Sequence, residues 1–460
     1  MRVLRLAMRV AVRMLANGSE TGAIETAIAQ VARSFGVDRV QAAVAFSMIT
    51  ISRYAGDDEP PTTLLHFVRE RTTDFTRLAA ISTVVRRVHA GELDLAAAEA
   101  EVARLDAADP PYGRVLRFAA PGLSAAGSTL MFGGTPIEAL ATLAIGLAIQ
   151  PGLVALNRSS LPPFFRLAIG SAGTTILVAL LVGIGLPISG GLVLTGSLLR
   201  FLPGYALVSG FRDLIDGSIV SGTARLAEAL LLAAGIAGGT AVSLAVASSA
   251  GVTLRILVVG AEAWSLPVSV AASALAVGGY AVVLGVPARA AAQAAAVGAL
   301  AWLLFRTTTV ATSLLDPGIA TLGVTILIGV VGRLLARRSG APAALWVVPA
   351  ILPLLPGLQL VQAMLAETNA ARVDGLIGAA GTAFVIGTGV AMGDILVLLI
   401  RGVRDQVVAP AVGAVAGGVE VLLVAPVGRA VERARRADRS HPQGDDTKSD
   451  DSAVSRRKDG

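Results

Sequence analysis

The chain has 460 residues, 54% of them hydrophobic and 15% charged, with a mean hydropathy of +0.72, so it reads as polytopic in a membrane. There is no cysteine, which excludes disulfides, thiolate metal sites and cysteine nucleophiles. The net charge of +6 is mild and no basic patch is interleaved with aromatics, so a nucleic-acid partner is excluded.

Residues 1–112 read as a small soluble α/β domain. Val3, Leu6, Val10 and Met14 share one helical face, with arginines on the other, and Asn17-Gly18 stops that helix. This start lacks the unbroken apolar core of a secretion signal. Ser19 is a candidate cap for a second helix, which carries Ile24, Ile28, Val31 and Phe35 on one face until Gly36 ends it. Glu20 and Glu25 flank that helix start, where carboxylates complement the helix dipole; a ligand site is the alternative. Residues 40–52 and 62–68 have β character, and helices are expected over 74–89 and 94–106. No serine or acidic residue has the spacing of a hydrolase elbow.

Beyond Pro110-Pro111, ten apolar segments follow: about 117–132, 136–156, 164–186, 188–211, 224–248, 268–286, 288–305, 309–332, 343–366 and 375–400. Small residues pervade them, as close helix packing in lipid requires. Two stretches stand out, LRFLPGYALVSGF from Leu199 and LPLLPGLQLVQAM from Leu352. Pro203 and Pro356 supply no backbone N–H, and Gly204 and Gly357 loosen the turn that follows. Broken helices at membrane depth survive only against protein or a water-filled cavity, and a matched pair of breaks points to a transport site. Kinks that merely shape the bundle are the alternative.

Pro203 and Pro356 are 153 apart, and Pro136 and Pro287, in Gly-x-Pro tripeptides, are 151 apart. Each half then holds five segments, and five is odd. The expected fold is therefore ten spans as two inverted five-helix repeats, over residues 113–250 and 251–428. An N-terminus inside places Arg158, Arg166, Arg212, Arg289, Arg333, Arg337, Arg338, Arg401 and Arg404 on the cytoplasmic side, against Arg255, Arg306 and Arg372 outside. Residues 407–427 are apolar enough for an interfacial segment or an eleventh span, and residues 429–460 read as a disordered charged tail.

A charge near the bilayer centre costs ~2.5–3.5 kcal/mol, so each intramembrane carboxylate needs a reason. Glu138, Asp394 and Glu228 are the candidates for carrying a coupled proton, although Glu228, three residues after Arg225, also suits a helical ion pair. Pro203, Gly204, Ser209, Pro356, Gly357 and Gln359 are the candidate substrate-binding residues, with Ser197 and Gln362 as further polar groups nearby. No metal spacing and no phosphate-binding loop occurs, so no metal or cofactor is expected.

The run LPGYALVSGFRDLIDGSIVSGTARLAEALL resembles the bacterial threonine/serine exporter family in Pro203-Gly204, Arg212-Asp213, Asp216-Gly217, Ser221-Gly222, Ala224-Arg225 and Glu228-Ala229. FGGTPIEAL from Phe132, the stretch LANGSETGAIETAIAQVARSFGV and the late LPLLPG are similar to further family elements, so both membrane modules lie in one chain. Where many relatives have Thr-Asn, this chain has Val208-Ser209. The resemblance implies a cytoplasmic N-terminal domain, ten spans in the bacterial inner membrane, and proton-driven export of small hydroxy amino acids by a protein that is not an enzyme. A homo-oligomer is left open. The alternatives are a carrier or channel for another small metabolite such as a carboxylate, and a membrane-anchored hydrolase or sensor.

Overall fold

The computed structural model describes residues 1–55, 59–68, 73–105, 111–254, 265–311, 315–366 and 368–416, with backbone alone described at 310, 311, 358, 364, 365 and 401–416. The tail expected over 429–460 and most of the segment 407–427 lie outside the described residues. Met1–Ile400 forms one compact unit; of the second, Arg401–Gly460, helical backbone is described as far as Ala416.

The N-terminal part opens with α1 (Arg2–Ala16) and α2 (Thr21–Ser34). Gly18, at φ +89°, turns the chain between them in a conformation that suits glycine. Residues 40–52, expected as one β stretch, fold back at Phe46 into β1 (Val40–Ala45) and β2 (Met48–Arg53), with Phe46 at φ +44°. β3 (Thr62–Phe67) completes an antiparallel sheet of order β1-β2-β3. Helices α3 (Phe75–His89) and α4 (Leu95–Arg104) begin where Asp74 and Asp94 accept from the backbone N–H of Arg77 and Ala97. Leu6, Ile28, Ile51, Phe75 and Leu78 are buried in the shared core.

The apolar part follows as α5 (Arg114–Met131), α6 (Pro136–Arg158), α7 (Pro163–Gly183), α8 (Gly190–Leu198), α9 (Gly204–Ile215) and α10 (Ile219–Ser249). It continues as α11 (Leu266–Val283), α12 (Ala288–Arg306), α13 (Pro317–Ser339), α14 (Ala344–Ala350), α15 (Gly357–Leu365) and α16 (Asn369–Ala416). Among the described residues seven helices are long and apolar enough to cross a membrane, or eight if the pair α8–α9, bent by 51°, is one span. The protein is thus a polytopic α-helical membrane protein. Of the ten expected segments, α5 and the α14–α15 stretch fall short of that standard. The start expected at 309 is also displaced: a π turn over Thr307–Ala311 ends α12, and α13 begins at Pro317.

The elements recur in order. Pro136 and Ala288, the first residues of α6 and α12, are 152 apart, so the helix starts align one residue away from the Pro136–Pro287 register. Gly204 and Gly357, the first residues of α9 and α15, are 153 apart. Contacts repeat as well. On α5 and α11, a Cβ at Gly279 would lie 2.7 Å from the nitrogen of Ser124, and one at Gly127 would lie 2.5 Å from the nitrogen of Ala276. Both pairs map onto each other at an offset of 152, so the two helices meet about a local twofold. Backbones this close explain the small residues in both helices.

Candidate functional site

The two Leu-Pro-Gly breaks are built alike. A 3-10 turn precedes each, over Leu199–Phe201 and Leu352–Leu354. Leu202 and Leu355 are extended, and Pro203 (φ −78°, ψ 51°) and Pro356 (φ −75°, ψ 40°) then sit close to inverse γ-turn geometry. Accordingly the N–H of Gly204 donates to the Leu202 carbonyl at 2.8 Å, and that of Gly357 to the Leu355 carbonyl at 2.7 Å. Those two N–H groups are therefore occupied within the turns, so neither is free for a substrate carboxylate.

The breaks also meet. A Cβ on Gly204 would lie 3.0 Å from Leu355 Cδ1, and one on Gly357 would lie 3.2 Å from Leu202 Cδ1 and press on Leu199. Leu202 and Leu355 are 153 apart, like the glycines they cover. A cavity lies beside each break. The larger, about 470 Å³, is lined by Leu355, Pro356, Gln359, Thr382, Trp302 and Arg306. The smaller, about 280 Å³, is lined by Leu202, Pro203, Tyr205, Arg225, Glu228 and Arg166. Gln359 Oε1 accepts from the Thr382 hydroxyl at 3.1 Å. Ser209 is buried and lines neither cavity; its hydroxyl donates to the Tyr205 carbonyl and accepts at 3.3 Å from Arg225, which lines the smaller one. Ser197 is buried with no hydrogen-bond partner among the described residues, and Gln362 is exposed.

The carboxylates divide by what holds them. Glu138, 4% exposed, lies in a capping box. Its Oε2 accepts from the Thr135 N–H at 2.6 Å, while its own N–H donates to the Thr135 hydroxyl. Its Oε1 accepts from the Ser189 N–H at 2.6 Å, so one side chain serves the starts of α6 and α8. The sequence signal for this was Thr-x-x-Glu with Pro136 at the first helical position. Asp394, 6% exposed, is held between Arg212 and Arg333, the latter at 3.3 Å. Glu228 lines the smaller cavity, and Arg225, on the same helix, meets Asp213 at 2.9 Å.

The run that carries the family resemblance is where the N-terminal part docks. Arg212 and Asp213, just past the end at 211 expected for the fourth apolar segment, lie in α9, which continues to Ile215. The N-cap position of α2 is held by Glu20 rather than Ser19, and the Glu20 side chain makes no cap hydrogen bond. The cap comes from the apolar part. Asp213 accepts from both the N–H and the hydroxyl of Thr21 at 3.1 Å, where a helix N-terminus favours an anion. Arg225 Nη2 donates to the Ser19 carbonyl at 3.0 Å. Ser221 holds the hairpin turn, accepting from the Phe46 N–H and donating to the Val44 carbonyl. Glu25 accepts from the Val44 N–H.

Glu20 itself meets Arg212 at 3.0 Å, so Glu20, Arg212, Asp394 and Arg333 form one chain of charges through the N-terminal part and both halves of the membrane part. Burial raises the Glu20 carboxyl above its ordinary range; Arg212 opposes this, and Asp213, Asp394 and Asp216 reinforce it. Sequence reading missed the Asp213–Arg225 pair, Arg333, Trp302 and Thr382. The only signal for the first was that both residues stand in one motif run.

Two family models together span nearly all of this unit. One, described as "Putative threonine/serine exporter", matches residues 5–247, and a second, "Threonine/Serine exporter, ThrE", matches residues 269–400. A relative from Mycobacterium tuberculosis described as "Probable threonine/serine exporter" is 30% identical over 412 residues, 87% of this chain and 77% of the relative. The "Threonine/serine exporter" of Corynebacterium glutamicum is 25% identical over 411 residues, 85% of this chain and 82% of that protein. No solved structure matches. These matches class the protein with transporters rather than enzymes. With both membrane modules in a single polypeptide, the chain belongs to the threonine/serine exporter family.

Proposed function

We propose that this protein exports small hydroxy amino acids, threonine and serine, across a bacterial cytoplasmic membrane as a proton-driven secondary transporter. The observation that carries the reading is the family match over both membrane modules, each of which contains one of the two facing breaks. The substrate passes between Pro203-Gly204 and Pro356-Gly357, with Gln359 lining the cavity on one side. Asp394 is the proton carrier best supported by its surroundings. It is buried against two arginines from two helices, so its protonation would loosen both, whereas Glu138 is committed to two helix starts. Comparing threonine and serine export by cells with and without the gene tests the function. Equal export would refute it.

Ten spans as two inverted repeats is the topology that fits this function. In support, five elements recur in order at offsets near 152, with α8–α9 and α14–α15 each as one broken span. The division into an N-terminal domain over 1–112 and repeats over 113–250 and 251–428 follows it. Both termini are cytoplasmic in this reading. The N-terminal part touches Arg212 and Asp213 at the end of α9, the carbonyls of Leu284 and Gly285 after α11, and the carbonyl of Ser339 at the end of α13. These are turns to which the arginine count assigns the inside.

A further inference from the structure

We propose that a third cavity, between α3, the start of α12 and the end of α13, binds a phosphate group held by Arg289 and Arg338; this does not rest on the transport reading. The cavity, about 380 Å³, falls in the usual range for small-ligand sites. Ala290, Leu345 and Trp346 line it and are buried, so its base is apolar. Arg289 and Arg338 line it and are exposed, so they stand at its mouth. Ala79 of α3 and Ser339, the last residue of α13, are also in its wall. It therefore lies at the end of the bundle where the N-terminal part docks.

The donors in its wall select the ligand. Arg289 and Arg338 form no ion pair or side-chain hydrogen bond among the described residues, and no acidic side chain among those residues lines the cavity. Gln293 adds a further donor. The Trp346 indole can only donate, and it does so to Gln293 Oε1 at 2.9 Å. That fixes the amide and leaves its NH2 to donate. Arg86 brings another guanidinium to the same corner, donating to the Ser339 carbonyl at 2.9 Å. Guanidinium forks match phosphate, which offers more acceptor oxygens than a carboxylate.

The two halves differ here in a way that points to an anion. At the offset of 152 that relates α6 to α12, Glu138 corresponds to Ala290. In the first half that carboxylate accepts from the Thr135 and Ser189 N–H groups and places a negative charge at the start of α6. In the second half the position holds only a methyl group, in the cavity wall, and Pro287 gives α12 no side-chain cap. Arg289, the second residue of α12, adds a cation at the positive end of the helix dipole. A phosphate in the cavity supplies the charge that Glu138 supplies in the first half. Basic pockets between helices at a membrane surface take phospholipid headgroups, and free phosphate has the same chemistry.

The test uses the purified full-length chain in neutral detergent, with bound species counted by native mass spectrometry. Dioleoylphosphatidylglycerol is compared with dioleoylphosphatidylcholine, whose choline cancels the charge. The anionic lipid is expected to bind about tenfold more tightly. Inorganic phosphate, added alone and as a competitor, separates the sources: lipid that it does not release marks a headgroup site, and phosphate that binds alone or releases the lipid marks a soluble ion. Arg289→Gln combined with Arg338→Gln should abolish the binding seen in either case. Arg114→Gln combined with Arg158→Gln, which removes two exposed arginines outside the cavity, should leave it unchanged. Ala290→Glu alters a single charge, installs the carboxylate of the first half and should displace the bound group. If one of these cavity variants does not insert, the other decides. Native-like binding in the cavity variants, or a native chain that neither prefers the anionic lipid nor binds inorganic phosphate, overturns the proposal.

Discussion

Leu355 lies over Gly204 as Leu202 lies over Gly357, so each half of the membrane part closes against the helix break of the other. The contact leaves no room for a side chain on either glycine without moving a leucine. Gly204→Val and Gly357→Val are therefore expected to insert normally and to lose transport or raise its apparent KM severalfold. Gly183→Val, where a Cβ meets the Val252 side chain at 3.2 Å, should matter less. Unchanged uptake kinetics in vesicles for both variants would show that the breaks only shape the bundle.

The charge chain through Asp394 separates coupling from stability. Asp394→Asn should abolish proton-driven export while leaving exchange of labelled for unlabelled substrate measurable. Glu138→Gln removes the charge from two capped helix starts and should instead lower thermal stability in detergent, by about 1 kcal/mol per weakened cap. Proton-driven export that survives Asp394→Asn across a pH series would assign Asp394 to structural ion pairing.

Docking of the N-terminal part depends on Asp213. It is 1% exposed, and it both caps α2 and neutralises Arg225, so Asp213→Ala leaves a buried arginine unpaired. The expected loss is about 3–5 kcal/mol, against about 1 kcal/mol for Thr21→Ala. Because the two residues touch, the double variant should lose less than the two single losses added together. Additive losses in thermal unfolding would show that the two do not act as one unit.

Glu20 makes stability depend on pH. Its folded pKa lies above the unfolded one, so the folded state holds the proton more tightly. The group's destabilising effect is absent below the ordinary carboxylate pKa and fully developed above the raised one. Stability should thus fall as pH rises through that window, and Glu20→Gln should flatten the fall. A profile identical to the native chain's would mean that Glu20 does not titrate there.

Orientation is checked with reporter fusions. Those after Leu186 and after Ser265 should report the outer side, and those after Arg338 the cytoplasm. A cytoplasmic signal after Ser265 would break the scheme of five spans in each half.

Residue order alone determined what depends on local pattern. Apolar runs announced a membrane protein, and two Leu-Pro-Gly tripeptides at a spacing of 153 announced two breaks of one kind, because proline constrains the backbone wherever it stands. The motifs from Pro203 to Glu228 pointed to the family that the matches bear out. Pairing was not legible, because it joins residues far apart in the chain. Glu138 and Asp394 looked alike as carboxylates in apolar runs; folding delivers backbone N–H groups to one and two arginines to the other. Asp213 stood just past an apolar segment, and only the docking of α2 makes it a cap. Arg306 looked like a loop charge until the second break and α16 closed a cavity around it. Hydropathy and turn chemistry act over a few residues, whereas a charge inside a membrane is decided by whichever partner the fold brings to it.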